Sequence, residues 1–585
     1  MVGVPGKDGP CKTCHRRKKR CDKKTPFCSQ CIAAGLLCEG YTRQHSVWLN
    51  STDGENRTYA KSARVASEQT LVRTTSRSGA TITLHESLAR VAREDRYVGL
   101  YLAAFLPSGR LFSAQASQIS SAGWLRHLDA LCRSEKTLRL ITLAHGLSML
   151  ATRDHDSQLR LKGLEVHRMA LHQMHIALHD PQRATGDGIL AAVRLFRFYE
   201  ILYGADNPNG TPNEDENPTQ QVNGYYAHTD GEMALFMNRG CHRKWSQAGR
   251  YLLVSGRIVS FILGVGRRKR SPFSDSQWMT APWKNTPKSP LDELSHILVQ
   301  IPGLLEELDA IQASPDSTTE RDGTTSDPNR ARVVDLLGKC SHLETALLAW
   351  RDTMRDALRT YDHIHYSEIN NNPLPTPQVD RDFAVLHMSC LYWSCSILLY
   401  TTIHIAAAHG EADDRHLKHD ELHFALSSSK IIIPFSSSPE CPNYYNERNP
   451  TLHAHRIIHT MPLSHGPFAG GYGALCSTFP LGIALRYLIV AHFFPHDDGS
   501  ACANGGGGGG GSHHLHPPGG MKREREFLRQ TVSQPFMRAY TARFIGRLHK
   551  VDNAPGQSFL ENEHVPGWYG AELRMRSWWF GPRVG

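Results

Sequence analysis

Residues 11–38 read CKTCHRRKKRCDKKTPFCSQCIAAGLLC, and their six cysteines (Cys11, Cys14, Cys21, Cys28, Cys31 and Cys38) form a repeat. The unit C-x2-C-x6-C occurs twice, displaced by 17 residues. Two thiolates three positions apart converge on one side of a tight turn, as half of a tetrahedral zinc site requires. Two such ions need eight ligand positions, so with six cysteines two sulfurs must be shared. The pseudo-twofold of the repeat nominates the leading cysteine of each half. One zinc then takes Cys11, Cys14, Cys21 and Cys28; the other takes Cys11, Cys28, Cys31 and Cys38. A single four-cysteine site would leave two cysteines idle at the same spacing. A disulfide knot conflicts with Lys/Arg-rich surroundings that favour thiolate. With so few aliphatic residues the segment can bury little, so metal must supply most of its folding free energy.

Charge is concentrated in the same place. Residues 1–45 hold ten Lys/Arg (Lys7, Lys12, Arg16, Arg17, Lys18, Lys19, Arg20, Lys23, Lys24 and Arg43) against Asp8, Asp22 and Glu39. That is +7 of the chain's net +10, and such asymmetry points to a polyanionic partner for this end and a near-neutral body behind it. MVGVPGKDGP at the N-terminus has no apolar stretch that would serve as a secretory signal, so a reducing compartment without disulfides is expected. Composition, 40% hydrophobic and 21% charged over 585 residues, is that of a globular protein too long for one small core.

Between Cys14 and Cys21 lies His15-Arg16-Arg17-Lys18-Lys19-Arg20. Helix formers dominate it, and a short helix held at both ends by metal is expected there. Its Arg and Lys side chains can reach phosphates and guanine O6/N7 in a major groove. Read more plainly, Arg16–Arg20 is a solvated basic face or a nuclear localisation signal, which is compatible with contact to double-stranded DNA. Pro26, two residues before Cys28, would shape the loop joining the halves.

The pattern C-x2-C-x6-C-x6-C-x2-C-x6-C, the basic run after the second cysteine, the Pro before the fourth and Gly35 before the last resemble the fungal binuclear zinc cluster transcription factors. The resemblance implies a small two-helix domain on two Zn2+ ions whose first helix enters the major groove. It also implies reading of CGG triplets, often as a homodimer on two half-sites, and action in the nucleus. The position that reads bases in that family falls on Lys18, with Arg17 beside it as a further basic contact. Arg16, Lys19 and Arg20 complete the expected DNA-binding set, while His15 stands where many relatives carry Arg or Lys.

Residues 46–83 are polar and Ser/Thr/Arg-rich, as a flexible linker would be; Leu49, Leu71 and Val72 are too sparse for a coiled coil. From residue 84 the texture is helical. Leu140, Leu143, Leu147 and Leu150 share one face, as do Val333, Leu336, Cys340, Leu343 and Leu347, and Ile189–Tyr203 is apolar nearly all round. The fold class expected is therefore a zinc cluster domain (1–45) followed by a large all-α regulatory region (84–585), with loops at 204–224, 267–290, 311–330 and 503–520. The helix ending LFRFYEIL, the segment His228–Gly240 and the stretch Phe479–Leu485 loosely resemble the fungal-specific regulatory region that accompanies such clusters.

Several features compete with this reading. Residues 383–410 carry no Asp, Glu, Lys or Arg and would span a membrane by length. Their Ser, Thr and His content and the lack of a second such segment favour a buried helix, with no membrane partner. His172, His175 and His179, and His453, His455 and His459, have spacings that would suit a metal, but a His-rich chain produces such spacings by chance. His513, His514 and His516 read as linker residues. Arg267–Arg270 reads equally as a second import signal or a solvated loop. No nucleophile elbow, phosphate loop or dinucleotide fingerprint is present, so no enzyme is expected. The reading is a zinc-dependent transcription regulator, with co-regulators or the transcription machinery and a small-molecule effector as further partners. The alternative is a helical ligand-binding protein or enzyme carrying the zinc module only for localisation. Glu214-Asp215-Glu216 is too short an acidic patch to decide between activation and repression.

Overall fold

A computed structural model describes residues 10–22, 24, 28–36, 38, 86–203, 217–313, 328–364, 374–413, 445–466 and 468–493. Contacts divide the chain into two compact units, Met1–Thr83 and Leu84–Gly585. Among the described residues there is no strand. The described residues of the first unit hold two short helices, α1 (Lys12–Arg16) and α2 (Ser29–Ala33).

The second unit begins with α3 (Glu86–Phe105), α4 (Lys136–Asp154), α5 (Ser157–Leu178), α6 (Asp187–Tyr203), α7 (Asn217–Arg239) and α8 (Gln247–Arg267). It continues through α9 (Pro290–Leu298), α10 (Ile301–Gln312), α11 (Pro328–Thr353), α12 (Asp380–Asp413), α13 (Pro450–Ser464) and α14 (Gly470–Phe493). Local sequence sets many of the ends. The Asp156 carboxylate accepts from the amides of Gln158 and Leu159 at 2.8 and 3.0 Å and starts α5. Ser289 and Asp292 cap each other's amides at the start of α9, whose first residue is Pro290. α4 and α8 stop on left-handed residues, His155 at φ 51° and Arg268 at φ 50°.

Packing follows the apolar faces. α4 lies against α5, α3 and α6, and α6 pairs with α7. At the crossing of α3 and α4 a Cβ on Gly146 would stand 2.5 Å from the Tyr97 carbonyl oxygen, so only glycine permits that approach. Leu140, Leu143, Leu147 and Leu150 are buried, as are Val333, Leu336, Cys340, Leu343 and Leu347. α12 is the axis of the C-terminal half, contacted by α9, α10, α11, α13 and α14. Four of its hydroxyls are satisfied within the helix: Ser389, Ser394, Ser396 and Thr402 donate to the carbonyls of Val385, Cys390, Tyr392 and Leu398 at 2.8–3.0 Å.

The structure departs from the sequence-based expectations at several points. Among the described residues two helices, not one, are long and apolar enough to cross a membrane: Gln247–Arg267 and Asp380–His409, whose apolar stretches are 78% and 94% buried within the body. Buried packing accounts for both. The loop expected at 204–224 has given way to α7 by Asn217. The loop expected at 267–290 instead holds three helical turns, Pro272–Ser274, Ser276–Thr280 and Ala281–Trp283, that bury Phe273, Trp278 and Trp283. The loop expected at 311–330 is bounded by the end of α10 at Gln312 and the start of α11 at Pro328. The readings of 46–83, Pro26, Glu214–Glu216 and 503–520 lie outside the described residues.

Arg267–Arg270 is not a free basic loop. Arg267 pairs with Asp230 at 2.7 Å, Arg268 with Asp309, and Lys269 with Glu306 at 2.8 Å, which pins the end of α8 to α7 and α10. His175 and His179 are exposed with rings 4.6 Å apart. His453 contacts the Glu447 carbonyl oxygen through Nε2 at 2.7 Å, and His459 stacks on His363.

Candidate metal centre and basic face

Each half of the cysteine repeat builds the same turn. The Cys11 sulfur accepts the Cys14 amide at 3.3 Å, and the Cys28 sulfur accepts the Cys31 amide at 3.3 Å, so each leading cysteine is also the N-cap of its helix. Each helix closes in the same way 17 residues apart. Lys18 donates to the His15 carbonyl and Lys19 to that of Cys14 at 3.0 Å; Gly35 donates to Ile32 and Leu36 to Cys31 at 2.9 Å. The residue making the reversal is left-handed in both halves, Lys18 at φ 50° and Gly35 at φ 61°.

The helix thus lies one step earlier than the sequence suggests. It spans Lys12–Arg16, not the run between Cys14 and Cys21, because the backbone must reverse at Lys18 to return Cys21 to the other sulfurs. His15, Arg16 and Arg17 leave from the last turn and its cap, and Lys18, Lys19 and Arg20 from the reversal; all six are exposed. Their charges complement the carbonyl end of the helix. Asp22 was not singled out by the sequence. Its carboxylate accepts the Ser29 amide at 3.0 and 3.2 Å, joining the first half to the start of α2, and the Ser29 hydroxyl and amide together lower its pKa. The available signal was its position as the single acid between Cys11 and Cys38.

The sulfurs form two groups of four, Cys11/Cys14/Cys21/Cys28 and Cys11/Cys28/Cys31/Cys38, and within each the ligand atoms lie within 4.8 Å of one another. Cys11 and Cys28 belong to both groups, and their sulfurs are 3.6 Å apart. Cys14 and Cys28 approach to 3.4 Å. A zinc–thiolate tetrahedron with bonds of about 2.3 Å has edges of about 3.8 Å, so the donor set fits two zinc ions in size, number and softness. Burial pushes the thiols of Cys11, Cys14 and Cys31 up; for Cys28 burial is outweighed by the Cys31 amide and the neighbouring thiols, which bring it down to about 6. Buried, mutually repelling thiolates of this kind are stabilised by a dication. Zinc, when bound, supplies the structural cross-link; the side chains that face outward do the rest. Among the described residues no other group of three or more metal-capable side chains converges in this way.

Residues 9–46 match the model of the fungal Zn(2)-Cys(6) binuclear cluster domain. No curated protein and no solved structure matches the chain. The N-terminal segment is therefore a binuclear zinc cluster domain, and a large all-α region follows it. Such a domain implies a DNA-binding transcription regulator, of a family that is typically non-enzymatic and that implies a nuclear location.

Proposed function

We propose that this chain, a DNA-binding regulator by its zinc cluster domain, reads CGG-type triplets in the major groove, with Lys18 as the base-reading side chain. The observation that carries the reading is the run His15–Arg20: six consecutive exposed side chains, five of them permanently cationic, hang from a frame of buried sulfur. A lysine at a sharp reversal projects from the edge of the frame, where a guanine O6/N7 pair is reachable without the backbone meeting phosphate. Arg17 serves as a second contact in the groove, and Arg16, Lys19 and Arg20 hold the flanking phosphates, fixing register without sequence information. The same run, Arg16–Arg20, serves as the nuclear localisation signal.

The test is fluorescence polarisation of the full-length protein on a CGG-containing duplex and on a scrambled one. Binding should depend on zinc and be lost on chelation. Lys18→Ala should cost about 1–3 kcal/mol on the CGG duplex and level the two affinities. Lys19→Ala should weaken both equally and flatten the salt dependence. Equal affinity of the wild type for the two duplexes would refute the reading.

A further inference from the structure

α8 carries Arg257 fully into the interior, and among the described residues no carboxylate lies at ion-pair distance from it. Its Nη2 donates to the carbonyls of Phe273 and Trp278 at 3.2 and 3.4 Å and meets the Met279 sulfur at 3.0 Å. Nε and Nη1 have no partner. The guanidinium lies over the Trp283 ring, 4.7 Å from its centroid, and the buried indole Nε1 of Trp283 has no acceptor either. His296 packs edge-on to the same indole with centroids 4.7 Å apart. Its Nδ1 lies 3.1 Å from the Lys288 ammonium, and its Nε2 is buried without a partner.

Three unpartnered buried nitrogens, two of Arg257 and one of His296, therefore belong to side chains packed on one indole whose own N–H is also unpartnered, and among the described residues no oxygen answers any of the four. Asp292 is the acid that supports the Arg257 charge, but it is occupied by the Ser289 amide at 2.7 Å in the cap of α9. Burial accordingly drags the Arg257 pKa down to about 9. An uncompensated buried guanidinium is costly, and unsatisfied donors beside it add to the cost. The missing component is an acceptor carrying negative charge.

We propose that Arg257, Trp283 and His296 form a binding site for a small carboxylate anion, roofed by the helical turns of residues 271–284. One fully buried permanent cation matches a monoanion better than a phosphate dianion. Two acceptor oxygens suit donors that come from separate side chains, as a spherical halide does not. Phe273, Trp278 and Trp283 make the surroundings dry, which strengthens the pairing. The roof is a succession of one-turn helices between α8 and α9.

The test uses full-length protein titrated with sodium acetate and sodium benzoate against sodium chloride at constant ionic strength, followed by thermal midpoint and tryptophan fluorescence. A saturable rise in midpoint with carboxylate but not with chloride is expected. Arg257→Met should weaken the apparent affinity roughly tenfold or more. Trp283→Phe, which keeps a ring and removes the N–H, should weaken it less, and it decides the matter if Arg257→Met does not give native circular dichroism. Lys18→Ala should titrate like the wild type whatever its DNA affinity. No saturation beyond the chloride response, or equal responses of the wild type and the variants, overturns the proposal and leaves water as the occupant.

Discussion

Lys18 and Gly35 occupy equivalent places in a duplicated frame, one with a long cationic side chain and one with none. Both adopt the left-handed conformation, which glycine tolerates and other residues adopt at a cost. The frame therefore carries a small strain at Lys18 that the side chain must justify by what it does outside. Lys18→Gly should keep or raise zinc retention, measured by competition with a chromogenic chelator, while removing sequence preference for the duplex. Gly35→Val should do the reverse to the frame, weakening zinc-dependent folding by about 1–2 kcal/mol in the same competition. Eight ligand positions and six cysteines require two shared sulfurs, and the symmetry of the repeat was needed to nominate Cys11 and Cys28, which the structure places in both groups. The reversal at Lys18 was not legible, because His15–Arg20 has helix-forming composition and only the need to bring Cys21 back breaks it.

At the scale of elements, the joint between α6 and α7 rests on a buried charge triad. Glu232 is fully buried; it accepts from Arg194 Nε at 2.8 Å and from Arg197 at 2.7 Å, while Arg194 also donates to the Leu252 carbonyl of α8 at 3.0 Å. Glu232→Gln leaves two guanidinium groups in the interior without a counter-charge and should destabilise the body by about 3–5 kcal/mol, read as a lowered thermal midpoint. Replacing all three residues by apolar side chains of similar volume should cost far less. A helix with one apolar face, such as α11, was legible in the sequence because its period is that of the core it faces; α4, although buried all round from Leu140 to Ala151, was legible by its leucines. The segment 267–290 was not. Its prolines read as loop signals, yet Pro272 and Pro282 sit in the first turn of short helices, where a missing N–H costs nothing, and the aromatic residues beside them face inward.

Across the whole molecule, buried histidines make the body sensitive to acid. His145 and His453 are completely buried, and burial pushes both down to about 4. Each donates its Nε2 proton to a carbonyl, Leu195 at 2.8 Å and Glu447 at 2.7 Å, which favours the charged ring, but burial outweighs this and keeps both neutral. A histidine whose folded pKa lies below its unfolded value near 6.5 contributes stability that is complete above that value. It is lost as pH falls toward the folded pKa, by on the order of 1 kcal/mol per pH unit for each such group. The thermal midpoint should therefore fall steeply from pH 6.5 to 4 and hardly move from pH 7 to 8. His145→Phe should soften the acid limb if the histidine carries it. The burial of α12 has a consequence in time as well as space. Its apolar length emerges from the ribosome well before α13 and α14, which cover it and end only at Phe493. A nascent chain must hold part of that helix uncovered while about eighty more residues are synthesised, from Asp413 to Phe493, which makes it a natural client segment for chaperones.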